Sequence, residues 1–463
     1  MIFDEVFERF ARRSPLTVMT RAIMEHALDS KALDVLFDQI ADRQYTRTLL
    51  FSSIVELMTI VVCNKISVRR AFKRIEERGR IEVTLQAVYD KLDRLETKFS
   101  QALVRHFASR LTPVIEGMGG AVEPWLPGYR VKVMDGNHIA ATDHRLEVLR
   151  KHGAGALPGF AVVVLDPRLQ MAIDVFPEED GHAQERSLTE AILATVEPRD
   201  VWIDDRNFCT SQLLLGIAKK GAFFVTRQHK ANAPWKPTGP LKECGSIETG
   251  TVFEQDGVIY DPALKKNVDV RRITVRLKKA TRDNDRELHI LTNLPQEVSA
   301  LTVAGLYRKR WTIETAFQEM ERALGGEVAT LGYPKAALFA FCVALAAYNV
   351  YATLKASLRA VHGEQKVQDE VSGYEIAADV ALDYNGMDVA IPSEMWERYQ
   401  DMNATQFGNW LVAIAGNVNM KYIKKAKRGP KKPKPKPKFD PKHPHVSTAR
   451  LLAARHASRK AKK

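Results

Sequence analysis

Cysteine is scarce: four in 463 residues, Cys63, Cys209, Cys244 and Cys342, too far apart for a CxxC pair or a Cys/His set at zinc-finger spacing. That excludes a disulfide scaffold and a structural zinc module, and a reducing compartment fits best. Long apolar runs are missing as well. The longest, Ala336 to Tyr348, is shorter than the roughly 20 residues a bilayer span needs and reads as a buried core helix. The N-terminus MIFDEVFERFARRSP has early acids and no apolar run of signal-peptide length, so a cytoplasmic protein without a membrane partner is expected.

Negative charge is nearly absent from one end only. Residues Lys421 to Lys463 hold 17 Lys/Arg and a single acid, Asp440, a net of +16 against +13 for the whole chain, so the first 420 residues carry −3. The body is therefore near neutral, and any basic surface on it comes from local clustering. In the tail, KKAKRGPKKPKPKPKFDPKHPH alternates Lys with Pro, which resists helix and sheet, so a basic disordered tail is expected over 422–463. With 45% hydrophobic and 27% charged residues, the rest has the composition of a folded globular protein of several domains.

Apolar positions recur every three or four residues from the N-terminus to about Leu126, predicting a helical region over 1–126. Within it, Ser67 caps VRRAFKRIEER and Thr84 caps LQAVYDKLDRLETKF, with a break at Gly79. The pair reads either as a helix-turn-helix presenting Gln86, Tyr89 and Lys91 to a DNA groove or as an ordinary antiparallel helix pair. Over 127–227, YRVKVMDGNHIA, GFAVVVLDP and QMAIDVF form a strand meander, followed by alternating helix and strand. The fold class expected is α/β, a mixed sheet flanked by helices. A β-rich insertion follows over 228–287, with a hairpin at Asp256-Gly257 and a second strand pair around RRITVRLKK. The core resumes over 288–360, and a helical region over 361–421 is interrupted around Tyr384 to Pro392.

Three acids stand out. Asp135 ends the apolar strand VKVMDG, and Asp205 closes VWIDD, with Asp204 as its rival. Glu314 lies on GLYRKRWTIETAFQEMERAL, whose stripe Leu306, Ile313, Phe317, Met320 and Leu324 is predicted to pack on the sheet. Tyr307, Arg310 and Glu314 are spaced by three and four and share one face beside that stripe. Each feature also has an ordinary reading, as a turn aspartate, a helix cap or a solvated face. Adjacent strands bring two aspartates together and such a helix adds a glutamate, and three clustered carboxylates repel unless a hard divalent cation holds them.

With VMDGNHI, WIDDRNF and YRKRWTIE in place, residues from about Leu50 to Lys421 resemble the DDE transposases of bacterial insertion sequences, specifically the insertion-sequence 4 family. The resemblance implies an RNase H-like catalytic domain with a β-strand insertion between the second aspartate and the glutamate. It assigns Asp135, Asp205 and Glu314 as the metal-binding catalytic triad, and Tyr307 and Arg310 as DNA contacts. The Arg206 that follows Asp205 favours it over Asp204. Two positions depart from the pattern. Glu321 stands where the family signature has Lys, with Arg322 beside it as a replacement phosphate contact, and Asn137 stands where a small hydroxyl residue is commoner.

The implied cofactor is Mg²⁺, two ions with Mn²⁺ as a substitute, since the ligands are oxygens without a Cys or His set. His138 and His144, near Asp135, are the only hint of zinc. The implied partner is double-stranded DNA, both inverted-repeat ends and target, with a homodimer on DNA in a bacterial cytoplasm. Arg272 and Arg276 share a strand face for phosphate contact, and the tail adds attraction indifferent to sequence. The expected function is cut-and-paste DNA transposition. The alternatives are a catalytically silent DNA-binding remnant acting as a repressor, or another metal-dependent nuclease of the RNase H fold.

Overall fold

The computed structural model describes residues 2–42, 49–77, 79, 81–229, 233–281, 284–426 and 444–461. Seven helices open the chain: α1 (Ile2–Arg13), α2 (Pro15–Ala27), α3 (Ser30–Ile40), α4 (Phe51–Asn64), α5 (Val68–Glu76), α6 (Leu85–Arg94) and α7 (Thr97–Gly117). The next part comprises β1 (Arg130–His138), β2 (Ala156–Leu157), β3 (Phe160–Asp166), β4 (Met171–Glu178), α8 (Thr189–Ala194), β5 (Asp200–Asp204), α9 (Ser211–Lys219) and β6 (Phe223–Arg227). Then come β7 (Trp235–Pro237), β8 (Lys242–Ile247), β9 (Gly250–Gln255), β10 (Gly257–Asp261), β11 (Lys266–Asp269), β12 (Arg271–Leu277) and β13 (Glu287–Thr292). The chain ends with α10 (Ala300–Lys309), α11 (Trp311–Ala323), α12 (Pro334–His362), α13 (Glu364–Glu370), α14 (Gly373–Ala390), α15 (Glu394–Glu397), α16 (Ala404–Ala415), β14 (Val446–Ser447) and α17 (Thr448–Lys460).

The helix starts follow local chemistry. Ser67 Oγ accepts from the Arg70 N–H at 3.3 Å and Thr84 Oγ1 from the Ala87 N–H at 3.2 Å, so both expected caps are made. On α5 the residues at helical spacing, Val68, Ala71, Phe72 and Ile75, are buried, while Arg69, Arg70 and Lys73 face solvent. Lys91 on α6 is turned inward: its Nζ donates to the Leu49 carbonyl at 3.3 Å and sits 4.7 Å from the centre of the Phe37 ring. Gln86 stays exposed and Tyr89 is half-buried against the core.

The large mixed sheet has nine strands in the order β4-β3-β1-β5-β6-β13-β12-β9-β8. The first three are antiparallel, β1-β5-β6 are parallel, and β13 joins β6 antiparallel. Alternation sorts the side chains by face. Val133, Ile203, Val225 and Ile290 pack with Leu306 of α10 and Ile313 of α11, whereas Met134, Trp202, Phe224 and Leu291 pack with α8 and α9. The predicted stripe on α10 and α11 is buried or half-buried throughout.

The helical part is built around α12, 29 residues long and buried on nearly every side, as a helix apolar all round must be. It is long and apolar enough to cross a membrane, but 94% of its apolar window is buried within the protein. It also completes the sheet: Asn349 Oδ1 accepts from the Ala172 N–H at 2.9 Å and its Nδ2 donates to the Ala172 carbonyl at 2.7 Å, where the β3/β4 register shifts. A side-chain amide there does what a neighbouring strand would do for edge strand β4.

In the insertion, β12, β9 and β8 join β13 to extend the main sheet, and β11-β10-β7 form a small second one. Three expectations are corrected. Asp256-Gly257 makes no hairpin, because one residue separates β9 from β10 and the two strands enter different sheets. A side chain at Gly257 would lie 2.3 Å from the Trp235 ring, so this corner requires glycine for space. The interruption expected from Tyr384 lies mostly inside α14, which runs through to Ala390 with Met387 buried beneath it. Of the tail, 427–443 lies outside the described residues, but 444–461 is not disordered, since it holds β14 and α17.

Two measurements check this framework. Asn349→Leu removes both partners of a buried peptide group and should cost about 2–5 kcal/mol, read as a lower urea midpoint. Burial first, then Asp90, pushes the Asp93 carboxyl on α6 up to about 7. Folding therefore favours the protonated acid, and stability present at low pH is lost as pH rises from the ordinary 3.8 through about 7. Asp93→Asn should be most stabilising, relative to the native chain, above that range and show no such advantage below pH 3.8. Equal urea midpoints at high pH would exclude this.

Candidate active site

The parallel register of β1 and β5 pairs Val133 with Ile203, so two residues further along each chain Asp135 comes beside Asp205. Asp135 does not end its strand as expected, since β1 runs on to His138 against β3, whereas Asp205 lies just past the end of β5. Both share the face of Val133 and Ile203, which is the face that α10 and α11 cover. Asp204 alternates to the other face, fully buried beside Thr226, where burial lifts its pKa well above the ordinary 3.8.

The single helix expected over 305–324 is broken at Arg310, where the chain tightens for one residue between α10 and α11. Arg310 is 7% exposed. Its Nη1 donates to Asp135 Oδ2 at 2.7 Å and its Nη2 to Glu314 Oε1 at 2.8 Å. Tyr307, also buried, donates from its hydroxyl to Asp205 Oδ1 at 3.2 Å. The solvated-face reading of Tyr307, Arg310 and Glu314 thus fails for the first two, and all three acids expected from the sequence meet this pair. Asp135 also accepts from the Gly136 N–H at 2.9 Å.

The charges are mutually dependent. Burial pushes the Asp135 carboxyl up to about 6; Arg310 and the Gly136 N–H pull it down, while Glu314 and Asp205 push it further up. Burial alone would lower the Arg310 pKa, but Asp135, Tyr307, Asp205 and Glu314 raise it overall. Tyr307 is raised by burial and then by Asp205, so its hydroxyl remains a donor. Among the described residues no three His, Cys, Asp or Glu close around a common point as a metal cage. The Arg310 guanidinium stands between Asp135 and Glu314 and supplies their countercharge.

Open space flanks this cluster. On one side a cavity of about 620 Å³ runs from Asn137, Phe317 and Glu321 to Lys65 and Ser67 at the α4–α5 turn. Glu321 and Arg322 are both exposed at the last turn of α11, and the cation reaching that turn is Lys65, whose Nζ donates to the Arg322 carbonyl at 2.6 Å. On the other side a cavity of about 710 Å³ is lined by Tyr307, Arg308, Trp311, Lys278 and Lys279. Trp311 is 64% exposed there.

The remaining candidates lie further away or are engaged elsewhere. Arg206 is exposed on the short turn after Asp205. Arg272 donates to Gln255 Oε1 at 2.7 Å and lies over the Trp235 ring, and Arg276 pairs with Glu287 at 3.0 Å on the same strand face. His144 binds the Ala154 carbonyl at 2.7 Å and His138 packs on Phe160, so neither histidine joins the acids. Sequence reasoning missed Glu185, whose carboxylate lies close over Gly136 and accepts from Asn207 Nδ2 at 3.4 Å. No motif marks it, whereas Trp311 and Lys65 sat in plain view as spacer and turn residues.

No curated protein matches the sequence. Among solved structures the chain is similar to piggyBac transposase in a cryo-EM synaptic complex with hairpin DNA, at 11% identity and a TM-score of 0.42, over 85% of this chain and 84% of that one. Residues 126–350, which hold Asp135, Asp205 and Glu314, match the family model of the transposase DDE domain.

Proposed function

We propose that this chain is a DNA transposase of the DDE type that cuts and rejoins DNA in cut-and-paste transposition, with Asp135, Asp205 and Glu314 as its catalytic acids. One observation carries the reading. Two aspartates in step on the parallel neighbours, Asp135 within β1 and Asp205 just past β5, meet Arg310 and Tyr307 of one helical segment, and Arg310 also holds a glutamate one turn further along α11, all inside the segment that matches the transposase DDE domain. The strand order, three antiparallel and then two parallel, supports an RNase H-like core, with the later strands as its insertion. Membership of the insertion-sequence 4 family and a bacterial source rest on the YRKRWTIE motif.

The donor set fits a hard divalent cation such as Mg²⁺. All three groups are carboxylates, drawn to one place around a single guanidinium, and hard oxygen donors of this kind suit such an ion. Asp135, Asp205 and Glu314 would hold the metal, which supplies Lewis-acid activation of the attacking oxygen and stabilisation of the leaving one. The chain's own part is positional. Tyr307 fixes the Asp205 carboxylate by a hydrogen bond from a hydroxyl that burial keeps protonated. Arg310 keeps Asp135 and Glu314 together in the absence of other positive charge. The two cavities beside the acids give a DNA strand access from both sides, with Lys65, Lys278 and Lys279 at their edges. Asp204, buried on the far face, takes no part.

Asp135→Ala, Asp205→Ala and Glu314→Ala should each lower Mg²⁺-dependent cleavage of duplex carrying the native element ends by about a thousandfold or more, while duplex binding measured in chelator persists. Near-normal cleavage by any one variant would remove that residue from the set. Tyr307→Phe keeps the ring and deletes only the bond to Asp205. It should slow cleavage by about ten- to a hundredfold with binding unchanged, as expected for a hydrogen bond to a charged group. An unaltered single-turnover rate would show that Tyr307 does not position Asp205.

A further inference from the structure

The C-terminal helix is docked, and its docking is specific. β14 pairs in parallel with β2, Val446 beside Ala156 and Ser447 beside Leu157. Asp180 anchors the turn into α17: its Oδ1 accepts from Ser447 Oγ at 2.7 Å and its Oδ2 from Arg450 Nε at 2.8 Å. One helical turn further on, Arg455 pairs with Glu147. The platform is the loop 139–157, which continues directly from the strand that carries Asp135. That loop is itself held to the frame of the active site, through Asp143 N–H to the Ala329 carbonyl at 2.8 Å and Ala140 N–H to Glu327 Oε1 at 3.3 Å. Leu149, fully buried, pins the turn that presents Glu147 and Arg150.

Charge at this junction is unbalanced. The Glu147 carboxylate is held below the usual range by its hydrogen bond from Arg455 and by the nearby charges of Arg459 and Arg150. Arg455 pairs with Glu147 across about 300 residues of chain, Arg150 closes the short turn that Glu147 opens, and Arg459 stands four residues on from Arg455, on the same face of α17, so three guanidinium groups from two segments gather at one carboxylate. Arg150 and Arg459 are exposed. In the same loop Arg145 is paired with Asp143 at 3.1 Å, so among the described residues the unpaired guanidinium groups of this junction are those beside Glu147. An open, solvent-facing band of guanidinium groups, with no enclosing pocket, suits a phosphate backbone, and its fixed attachment suits a rigid duplex.

We propose that Arg150, Arg455 and Arg459 form a fixed backbone contact for duplex DNA, so that α17 locates the duplex relative to the active site and is not merely part of a loose polycation. The proposal rests on the transposase reading for its partner. Glu147 has two opposed roles in it: it secures Arg455, and it neutralises charge that would otherwise attract phosphate.

The test uses the full chain and a labelled random-sequence duplex over a salt series, with cleavage of end-bearing duplex measured alongside. Arg150→Ala/Arg459→Ala leaves the Arg455–Glu147 pair and the Asp180 anchor intact, so α17 stays docked. The slope of log affinity against log salt should fall by about 2, close to one unit for each phosphate no longer neutralised. An unchanged slope in the double variant would overturn this inference while leaving the transposase reading intact, provided the unmodified chain binds and cuts. Failure of the unmodified chain to bind any duplex would overturn the reading itself and this contact with it.

Discussion

A guanidinium buried to 7% exposure must have countercharge, and the way Arg310 finds it fixes most of the site. Removing such a charge from water costs several kcal/mol unless it is paired and hydrogen-bonded. Asp135 comes from a strand 175 residues earlier and Glu314 from the next turn of helix, so the pairing is met only when α11 lies across β1. The break between α10 and α11 falls on Arg310 itself, which lets the buried stripe continue on both helices while the guanidinium turns to the sheet. Tyr307 repeats the arrangement one turn earlier against Asp205. Five side chains from three segments thus depend on one in-step register between β1 and β5.

What could be read in the sequence depended on how local its cause was. Asp135 and Asp205 follow apolar strand residues, so their place on strands was visible; the glycine after Asp135 suggested a turn, but pairing with β3 carries β1 on to His138. The spacing of Tyr307, Arg310 and Glu314 revealed a shared face. Whether that face was wet or buried was not visible, because its burial is decided by strands more than 100 residues away. Lys91 illustrates the same limit: it looked like a groove-reading lysine, but a ring from α3 and a carbonyl at Leu49 claim it. At Asp256-Gly257 the dipeptide promised a hairpin, yet the crowding of Trp235 against Gly257 reflects a change of sheet. The end of the tail was misjudged for a compositional reason. Lys and Pro dominate up to Pro444, but VSTARLLAARHASRK that follows has a Ser cap, three alanines in its first two turns and no proline, a helix signal masked by its neighbours.

Because the insertion extends the main sheet, the acids and the insertion share one framework. β13 lies directly beside β6, which lies beside the strand leading to Asp205. Arg271, also buried, fastens this junction. Its Nε bonds Glu254 of β9 at 2.5 Å, its Nη1 the carbonyls of Leu294 and Pro295, and its Nη2 that of Val298, immediately before the Ser299 cap of α10. The start of the helix that carries Tyr307 is therefore held by a side chain of the insertion. Tyr307 also lines the cavity whose far wall is made by Lys278, Lys279 and Leu288. The inner face of β12 packs on Val303 and Ala304 of α10, and its first residue, Arg271, holds the segment before the helix cap. Tyr307 thus stands between that cavity and Asp205, and the insertion supplies one wall of the cavity by packing against the helix that carries it.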